Sequence, residues 1–434
     1  MSAKQEFKSQ RAHHSALKLL HPFRIMADVA LKEIIRCKNT RKWLQTMDKL
    51  EYPYVVPQTN TIVDYERSLY RELDIIPAVA RLSHVKQLGL ASHTAIGIPA
   101  EHTRYLHSLV FATQIDYIAQ TLGLDRKLAV TAAMLHDIAS PPFSDSVANA
   151  LGTSDEYLFE SVLNSSPEAL EYLRKHKINK QNVVNLVRGK DNSPLGQLVN
   201  SQNSIDVDRW SYVALDACKL GQLPFTWTDR YMPDPFESAS IVNGRVVFGN
   251  SHVVGEFLEA RTKMYEKFYR NPGLMAKEAF VGRVAKELHK RGFVSMENLF
   301  QMVDTEFEWL AKKTGELAER IFGMDGFHSY GTVKAEPEVV VRELERLTKR
   351  PFEVKKHKLS NPAIETPILE GRKVAPYRYL EPQHSADLTM RMDKWNRTFV
   401  YGIDDDSELV SAVREVQSRL GGGEFNGAVS LLPA

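Results

Sequence analysis

The stretch AAMLHDIASPPFSD, residues 132–145, ends an apolar helical run with a His-Asp doublet, and two prolines follow after three more residues. An imidazole and a carboxylate at the end of a buried helix cost free energy unless a partner compensates them. A divalent metal ion is such a partner, since both groups are common metal ligands. The doublet therefore makes His136 and Asp137 candidate metal ligands.

The helix that ends in this doublet and the helix before it both begin with N-cap signals. The earlier one begins after Thr103 and stops near Gly123, and the helix of the doublet begins at Asp125. Thr and Asp favour these positions because their side-chain oxygens accept hydrogen bonds from first-turn amides, whereas glycine favours helix ends. In the earlier helix Arg104 and His107 are three residues apart, so they share a face.

A third predicted helix, IDVDRWSYVALDACKLG at 205–221, carries a polar stripe on an otherwise apolar surface. Asp208, Tyr212 and Asp216 recur every four residues along it. One face of each of three helices thus offers a histidine, a His-Asp doublet or an aspartate. Two imidazoles and two carboxylates suit a divalent transition metal. The predicted ligands are His107, His136, Asp137 and Asp208.

Composition places the chain among ordinary globular proteins. Its 434 residues are 43% hydrophobic and 25% charged, and the net charge of +2 gives no general argument for binding nucleic acid or a membrane. Only two cysteines occur, so no disulfide framework is expected. No run of about 18 apolar residues is present, and the opening MSAKQEFKSQ lacks the apolar core of a signal peptide. We therefore expect a cytoplasmic protein without a membrane partner.

The periodicity predicts a mainly α fold in which a helical core precedes a smaller α+β region. Within the core, GRVVFG at 244–249 is a predicted strand. Near the C-terminus, PFEVKK, YRYLEP and RTFVYGID are predicted strands, and SELVSAVREVQSRL is a predicted helix. The predicted parts are an N-terminal helical extension at 1–64, the core at 65–331, the α+β region at 332–420 and a flexible tail at 421–434.

Five stretches together resemble the HD-domain phosphohydrolases, and more narrowly the deoxynucleoside triphosphate triphosphohydrolases. They are PAVARLSHVKQLGLA (77–91), HTRYLHSL (102–109), LHDIASPPFSD (135–145), IDVDRWSYVALDACKLG (205–221) and ARTKMYEKFYRN (260–271). The resemblance implies a helical HD core that binds one divalent metal ion through the four ligands predicted above. Mn, Fe, Zn, Ni and Mg all stay open as that metal, and a second Mg²⁺ could arrive with the nucleotide phosphates. Members usually form homo-oligomers, so we expect one here.

The resemblance also implies eight contacts to a nucleotide, first to its phosphates, then to its sugar and last to its base. In that order they are Arg104, Arg209 and Arg261; Tyr212, Asp216, Gln87 and Leu88; and Tyr269. A single metal is favoured because His176 is the only histidine between Asp137 and Asp208, and it lies in a charged run. Dinuclear members of the family draw further histidines from the intervening helices.

The sequence departs from the family pattern at the residues that move protons. Ser140 and Asp145 stand where the family has histidines, and Asp155-Glu156 stands where it has a His-Glu pair. A carboxyl group can donate a proton near neutral pH only if its pKa is raised. The predicted catalytic residues are therefore Asp137, Asp145 and Asp155.

Three functions remain open. The favoured one is a metal-dependent nucleotide phosphohydrolase that converts a nucleoside triphosphate to nucleoside and triphosphate. The second is a catalytically weak or inactive HD protein that binds a nucleotide as a sensor or partner subunit. The third is a nucleic-acid-binding module that uses the basic stretch at 346–358, although a solvated helix end and edge strand is the favoured interpretation of that stretch.

Overall fold

The computed structural model describes 70–88, 102–219, 234–313, 315, 321–322, 327–356, 362–403 and 406–423. All of these residues belong to one unit of the chain. The predicted N-terminal extension, the helix stop at Gly221 and most of the predicted tail lie outside the described residues. The predicted fold class is confirmed, because helices dominate and two small sheets accompany them.

The helices are numbered in chain order. They are α1 Pro77–Arg81, α2 Arg104–Thr121, α3 Arg126–Leu135, α4 Asp145–Ala150, α5 Asp155–Asn164, α6 Pro167–Lys175, α7 Lys180–Val187, α8 Pro194–Val199, α9 Val207–Lys219, α10 Ser251–Met264, α11 Pro272–Lys290, α12 Met296–Leu299, α13 Asp304–Lys312, α14 Pro337–Leu347, α15 Tyr377–Leu380, α16 Pro382–Asp393 and α17 Ser407–Leu420. A π-helical turn, Tyr265–Tyr269, continues α10.

The strands form two four-stranded sheets. They are β1 Ala239–Val242, β2 Arg245–Phe248, β3 Phe327–Val333, β4 Phe352–Lys356, β5 Pro367–Glu370, β6 Lys373–Pro376, β7 Thr398–Ile403 and β8 Gly422–Gly423. The first sheet has the order β1-β2-β5-β6 and is antiparallel except where β2 meets β5. The second has the order β4-β7-β3-β8 and is antiparallel throughout.

The helix starts follow the predicted N-caps. The Leu106 amide donates to Thr103 Oγ1 (3.3 Å), and the Leu128 amide donates to Asp125 Oδ1 (3.0 Å). Gly123, with φ +68°, turns the chain after α2. These local signals fix where His107 and the His-Asp doublet lie on their helices.

One predicted strand was wrong. The segment 377–382, YRYLEP, forms the short helix α15 and then enters α16, whose first residue is Pro382. Four alternating residues cannot distinguish a strand from a helical turn, and a proline at a first helical position favours the helix. The strands predicted at 244–249, 351–356 and 397–404 are confirmed as β2, β4 and β7, and the predicted closing helix is confirmed as α17.

One apolar core links the helical region to the second sheet. Phe143, in the loop after the His-Asp doublet, packs with Val281 of α11, and the same buried cluster includes Phe327 of β3 and Phe399 of β7. Helix α11 therefore packs against both the loop after the His-Asp doublet and the second sheet. This packing brings residues of the C-terminal region close to the helices that carry the predicted metal ligands. None of the described helices has the length and apolar character that crossing a membrane requires.

The Arg81 side chain holds the loop after the His-Asp doublet in place through hydrogen bonds to main-chain carbonyl groups. Its Nη2 donates to the carbonyl oxygens of Ile138 (3.0 Å) and Ser140 (2.8 Å), and its Nη1 donates to that of Met302 (2.7 Å). Burial lowers the pKa of Arg81 to about 10, so the guanidinium is still charged at neutral pH. Two charge-assisted bonds thus fix the main chain next to Asp137, and a third joins it to the segment of Met302.

We expect Arg81→Leu to lower the free energy of unfolding by about 2–4 kcal/mol, because it leaves buried carbonyl groups without a donor. Arg71→Leu is the matched control, since Arg71 is an exposed arginine one helical segment earlier. Chemical denaturation of both variants measures the difference. Equal stabilities for the two would show that Arg81 does not hold the loop.

Candidate metal centre

Three side chains meet at one point: one from α2, one from the residue that follows α3, and one from α9. His107 Nε2 lies 2.9 Å from Asp208 Oδ1 and 3.2 Å from His136 Nε2, and His136 Nε2 lies 3.7 Å from Asp208 Oδ1. One ligand atom from each residue falls within 4.8 Å of the others. Two imidazole nitrogens and a carboxylate oxygen at this spacing could hold a divalent metal ion.

Hydrogen bonds on the far side of each imidazole orient the ring toward this point. His136 Nδ1 lies 2.7 Å from the Ala133 carbonyl oxygen, which can only accept, so Nδ1 carries the proton and Nε2 keeps its lone pair. His107 Nδ1 faces Ser211 Oγ at 3.4 Å, and Ser211 itself donates to the Asp208 carbonyl (2.8 Å). Such outer contacts are typical of metal-binding histidines.

Asp208 lies in the first turn of α9, and a residue that the sequence analysis missed positions this turn. Asp206 Oδ1 accepts from the Arg209 amide (2.7 Å), and Asp206 Oδ2 accepts from the Ser201 amide (2.9 Å). Asp206 lies inside the predicted helix, but the helix of the structure begins one residue later, so this aspartate is its N-cap. It fixes the start of the helix, and hence the place of Asp208.

Asp137, the predicted fourth ligand, lies beside the three but is engaged on one side. Its Oδ1 accepts from Arg104 Nη1 (2.8 Å) and from Ser140 Oγ (3.1 Å). Its Oδ2 is buried, lies 3.4 Å from His136 Nε2, and accepts no hydrogen bond from any described residue. A buried carboxylate oxygen needs a partner. The residues therefore fit a metal ion that Oδ2 would also contact, and Asp137 stays a predicted ligand.

The charge balance keeps Asp137 ionised. Burial by itself would raise the pKa of Asp137, but the Arg104 guanidinium and the two imidazoles outweigh this effect and hold that pKa well below its usual range. The carboxylate is therefore available as a ligand over the whole physiological pH range.

A cavity of about 470 Å³ opens over the three side chains, and every residue predicted for the site lines it. The structure thus brings together the four predicted ligands, the eight predicted nucleotide contacts, Asp145 and Asp155. Their roles remain predictions, but their convergence from segments far apart in sequence is a property of the fold.

The cavity arginines differ in how they are held. Arg104 is buried between Asp137 and Ser144 Oγ (3.1 Å), and its Nη2 lies 3.5 Å from Asp145 Oδ1. Arg209 Nη1 donates to Asp206 Oδ2 (2.6 Å) and to two main-chain carbonyls, so it is tied to the start of its own helix. Arg261 is buried and lies 4.9 Å from the ring centroid of Tyr265.

Two predicted catalytic carboxyl groups lie at the same side of the cavity. Asp155 Oδ2 accepts from Ser140 Oγ (2.9 Å), so Ser140 links Asp155 to Asp137. Asp145 opens into the cavity beside Arg104.

Further charged residues line the cavity that the sequence analysis did not predict for it. They are Glu156, Arg270, Glu278 and Lys355. Lys355 lies on β4, an edge strand within the basic stretch 346–358, as the favoured interpretation of that stretch requires. Yet it also reaches the cavity, because α11 and β4 are neighbours. No local pattern in the sequence indicates this placement.

The segment around the candidate site matches a known protein family. Residues 104–216, the segment that carries all four predicted ligands, match the family model described as HD domain. This segment is thus similar to HD domains. The name refers to the His-Asp doublet at 136–137, which the structure places at the centre of the candidate site.

Two curated relatives share part of the chain. The uncharacterized protein YwfO from Bacillus subtilis (strain 168) is 28% identical over 231 residues, which is 49% of this chain and 51% of YwfO. An uncharacterized protein from Methanocaldococcus jannaschii is 26% identical over 260 residues, which is 58% of this chain and 54% of the relative. The chain thus spans about half the length of the curated relatives it matches.

Two solved structures share the fold over most of the chain. A hypothetical protein from Aquifex aeolicus has a TM-score of 0.62 at 21% identity, covering 80% of this chain and 95% of the other. A protein named phosphohydrolase from Bacteroides thetaiotaomicron has a TM-score of 0.59 at 17% identity, covering 77% and 95%. At these identities the likeness shows a common fold around the HD domain.

If the HD residues bind a metal, His136→Ala and Asp208→Ala should each remove most of the bound divalent metal, since each deletes one ligand from a small set. Elemental analysis of the purified variants measures the metal content per chain. His252→Ala is the control, because that histidine side chain is 81% exposed and lies away from the cavity. Full metal content in both HD variants would contradict the assignment.

Proposed function

We propose that this protein is a metal-dependent nucleotide phosphohydrolase that converts a deoxynucleoside triphosphate to a deoxynucleoside and triphosphate. The observation that carries the proposal is the cavity itself. It joins a His/His/Asp group, buried arginines and tyrosine rings in about 470 Å³. The HD domain supports phosphohydrolase chemistry, and the resemblance of five stretches to the triphosphohydrolases supports the substrate.

The reaction requires one bond to form and one to break. The water oxygen bonds to the α-phosphorus, and the bond from that phosphorus to the 5′ oxygen of the sugar breaks. The 5′ oxygen then leaves as a hydroxyl once it gains a proton. When bound, a divalent metal ion would polarise phosphate oxygens and favour the deprotonation of water.

The arginines supply the charge that a triphosphate needs. Guanidinium groups match phosphate oxygens in geometry and stay ionised at any physiological pH. Arg104 lies next to the HD residues, so it is placed for the phosphate that reacts. Arg261, held against the Tyr265 ring, is placed for a more distant phosphate. Tyr212 and Tyr269 offer apolar ring surface for the nucleoside part.

Carboxyl groups are the proposed source of the proton for the leaving oxygen. Ser140 Oγ lies within hydrogen-bond distance of both Asp137 and Asp155. Asp137 keeps its negative charge beside Arg104, so it is not the proposed donor. Asp155 lines the cavity, and we take it as the group that gives a proton to the leaving oxygen.

Glu156 is a second proposed proton donor. Desolvation at the cavity wall and the neighbouring Asp155 carboxylate raise the pKa of Glu156 to about 8, so the group is mostly protonated at neutral pH. A carboxylic acid in this state can act as a general acid, the role that histidine plays in the family pattern. Asp155 and Glu156 together compensate for the serine at 140.

The alternative is a nucleotide-binding protein with weak or no turnover. One observation favours it: Ser140 and Asp145 replace two family histidines, whereas the residues for binding metal and phosphate are in the cavity. A sensor needs only binding, so it would tolerate these replacements. The two functions differ in whether nucleotide is consumed.

Incubation with the four dNTPs and four NTPs in Mn²⁺, Fe²⁺ or Mg²⁺, followed by chromatography, should yield a deoxynucleoside and triphosphate. Asp155→Asn should lower kcat by about a hundredfold with little change in binding, as expected for loss of a general acid. Asp387→Asn is the control, an exposed aspartate outside the cavity. Thermal stabilisation by a dNTP without any product would instead favour the sensor.

The pH profile tests Glu156. Because the raised pKa keeps Glu156 protonated below about 8, kcat should be level at neutral pH and fall as pH rises above that value. Glu156→Gln cannot give up a proton, so it should lower the plateau and remove this alkaline decline. An unchanged decline in the variant would assign it to another group.

A further inference from the structure

A buried chain of hydrogen bonds closes one wall of the cavity. His102 Nε2 lies 2.6 Å from Asp216 Oδ1, and the Tyr269 hydroxyl donates to Asp216 Oδ2 at 2.5 Å. Because an ionised carboxylate can only accept, His102 Nε2 carries the proton of the first bond. Both oxygens of Asp216 are thus held from the protein side by residues 114 and 53 positions away in sequence.

The three residues differ in their access to the cavity. Asp216 and Tyr269 line it, whereas His102 is not among the described residues that do. The His102 side chain is 0% exposed, and its Nδ1 is buried without a hydrogen-bond partner in the described part of the chain. An unpartnered buried nitrogen costs free energy. The imidazole therefore contacts Asp216 and does not contact a ligand in the cavity directly.

His102 also ties down two other cavity segments through the main chain. Its carbonyl oxygen accepts from the Gln87 amide (3.0 Å), and the next residue pairs with Lys86 and caps the helix of Arg104. One residue thus connects the Gln87 segment, the start of α2 and the carboxylate of α9. A shift of His102 would move several cavity-lining residues together.

Asp216 in turn sets the orientation of the tyrosine wall. The Tyr269 ring meets Tyr212 edge-on at 6.3 Å and Tyr265 at 5.0 Å, measured between ring centroids. Burial and the Asp216 carboxylate raise the pKa of Tyr269 well above its usual value, so its hydroxyl stays a donor. Packing against two tyrosine rings does not fix the hydroxyl end of the Tyr269 ring. The hydrogen bond from the Tyr269 hydroxyl to Asp216 fixes that end.

We propose that His102 is a positioning residue: through Asp216 and the Tyr269 hydroxyl it fixes the aromatic wall that contacts the nucleoside part of the ligand. The inference rests on the proposed function, because it takes the ligand to be a nucleotide. Among the described residues, the side-chain hydrogen bonds of His102, Asp216 and Tyr269 run to one another and not to the predicted metal ligands or Arg104. The main-chain contacts of residues 102 and 103 do not depend on the His102 side chain, so changing that side chain should affect nucleoside binding more than phosphate binding.

The test compares two probes on the same variants. We expect His102→Leu to weaken binding of the best-bound dNTP by about tenfold, the lower end of what outer partners contribute to a positioned group. Binding of inorganic tripolyphosphate in Mn²⁺, and the metal content, should stay within about twofold. Tyr269→Phe, which removes the hydroxyl donor, should show the same pattern. Calorimetry measures both affinities.

A conservative variant and a matched control separate positioning from stability. Gln places an amide N–H near the position of His Nε2, so His102→Gln should restore dNTP binding to within about threefold of wild type. His176→Leu removes another histidine–carboxylate bond, half-buried and outside the cavity (2.7 Å to Glu72), and should leave both affinities unchanged. Equal losses for dNTP and tripolyphosphate, or no rescue by Gln, would overturn the inference.

The outcomes also distinguish this inference from the proposed function. If the wild-type protein binds tripolyphosphate but none of the four dNTPs, the nucleotide proposal fails, and the assignment of His102 to a nucleoside wall fails with it. If the wild type binds a dNTP and His102→Leu binds it equally well, only the inference about His102 fails.

Discussion

The buried ion pair between Arg104 and Asp137 is the constraint on which the site depends. Arg104 Nη1 lies 2.8 Å from Asp137 Oδ1, and both residues are almost inaccessible to solvent. The arginine keeps the carboxylate ionised, which makes it a candidate ligand, and the carboxylate in turn holds the arginine at the cavity. Removing either partner would leave an uncompensated buried charge, which is far more costly than losing a surface pair.

The main chain around this pair is strained and is held from several sides. Phe143 and Ser144 both have φ of 56°, a conformation that residues with side chains rarely adopt. Asp304 compensates this strain, because its carboxylate accepts from the amides of Phe143 and Lys86, both at 2.9 Å. Arg81 secures the preceding carbonyls. Strain that the surroundings support in this way is typical of functional sites.

The second sheet extends the lining of the cavity beyond residues 104–216. The first sheet pairs β2 of the helical region with β5 near the C-terminus, and the second packs on α11. Through that contact Lys355 and Glu278 reach the cavity, and their opposite charges influence each other's ionisation. The C-terminal region therefore contributes to the chemical environment of the cavity as well as to the core.

The sequence by itself determined what depends on near neighbours along the chain. Caps at Thr103 and Asp125, helical spacing and the HD doublet place the four predicted ligands, because each signal acts within one or two helical turns. Only the tertiary structure decided that 377–380 is helical, that Lys355 faces the cavity, and that His102 meets Asp216 across 114 residues. These features arise from packing between distant segments, where a local pattern carries no information about the partner.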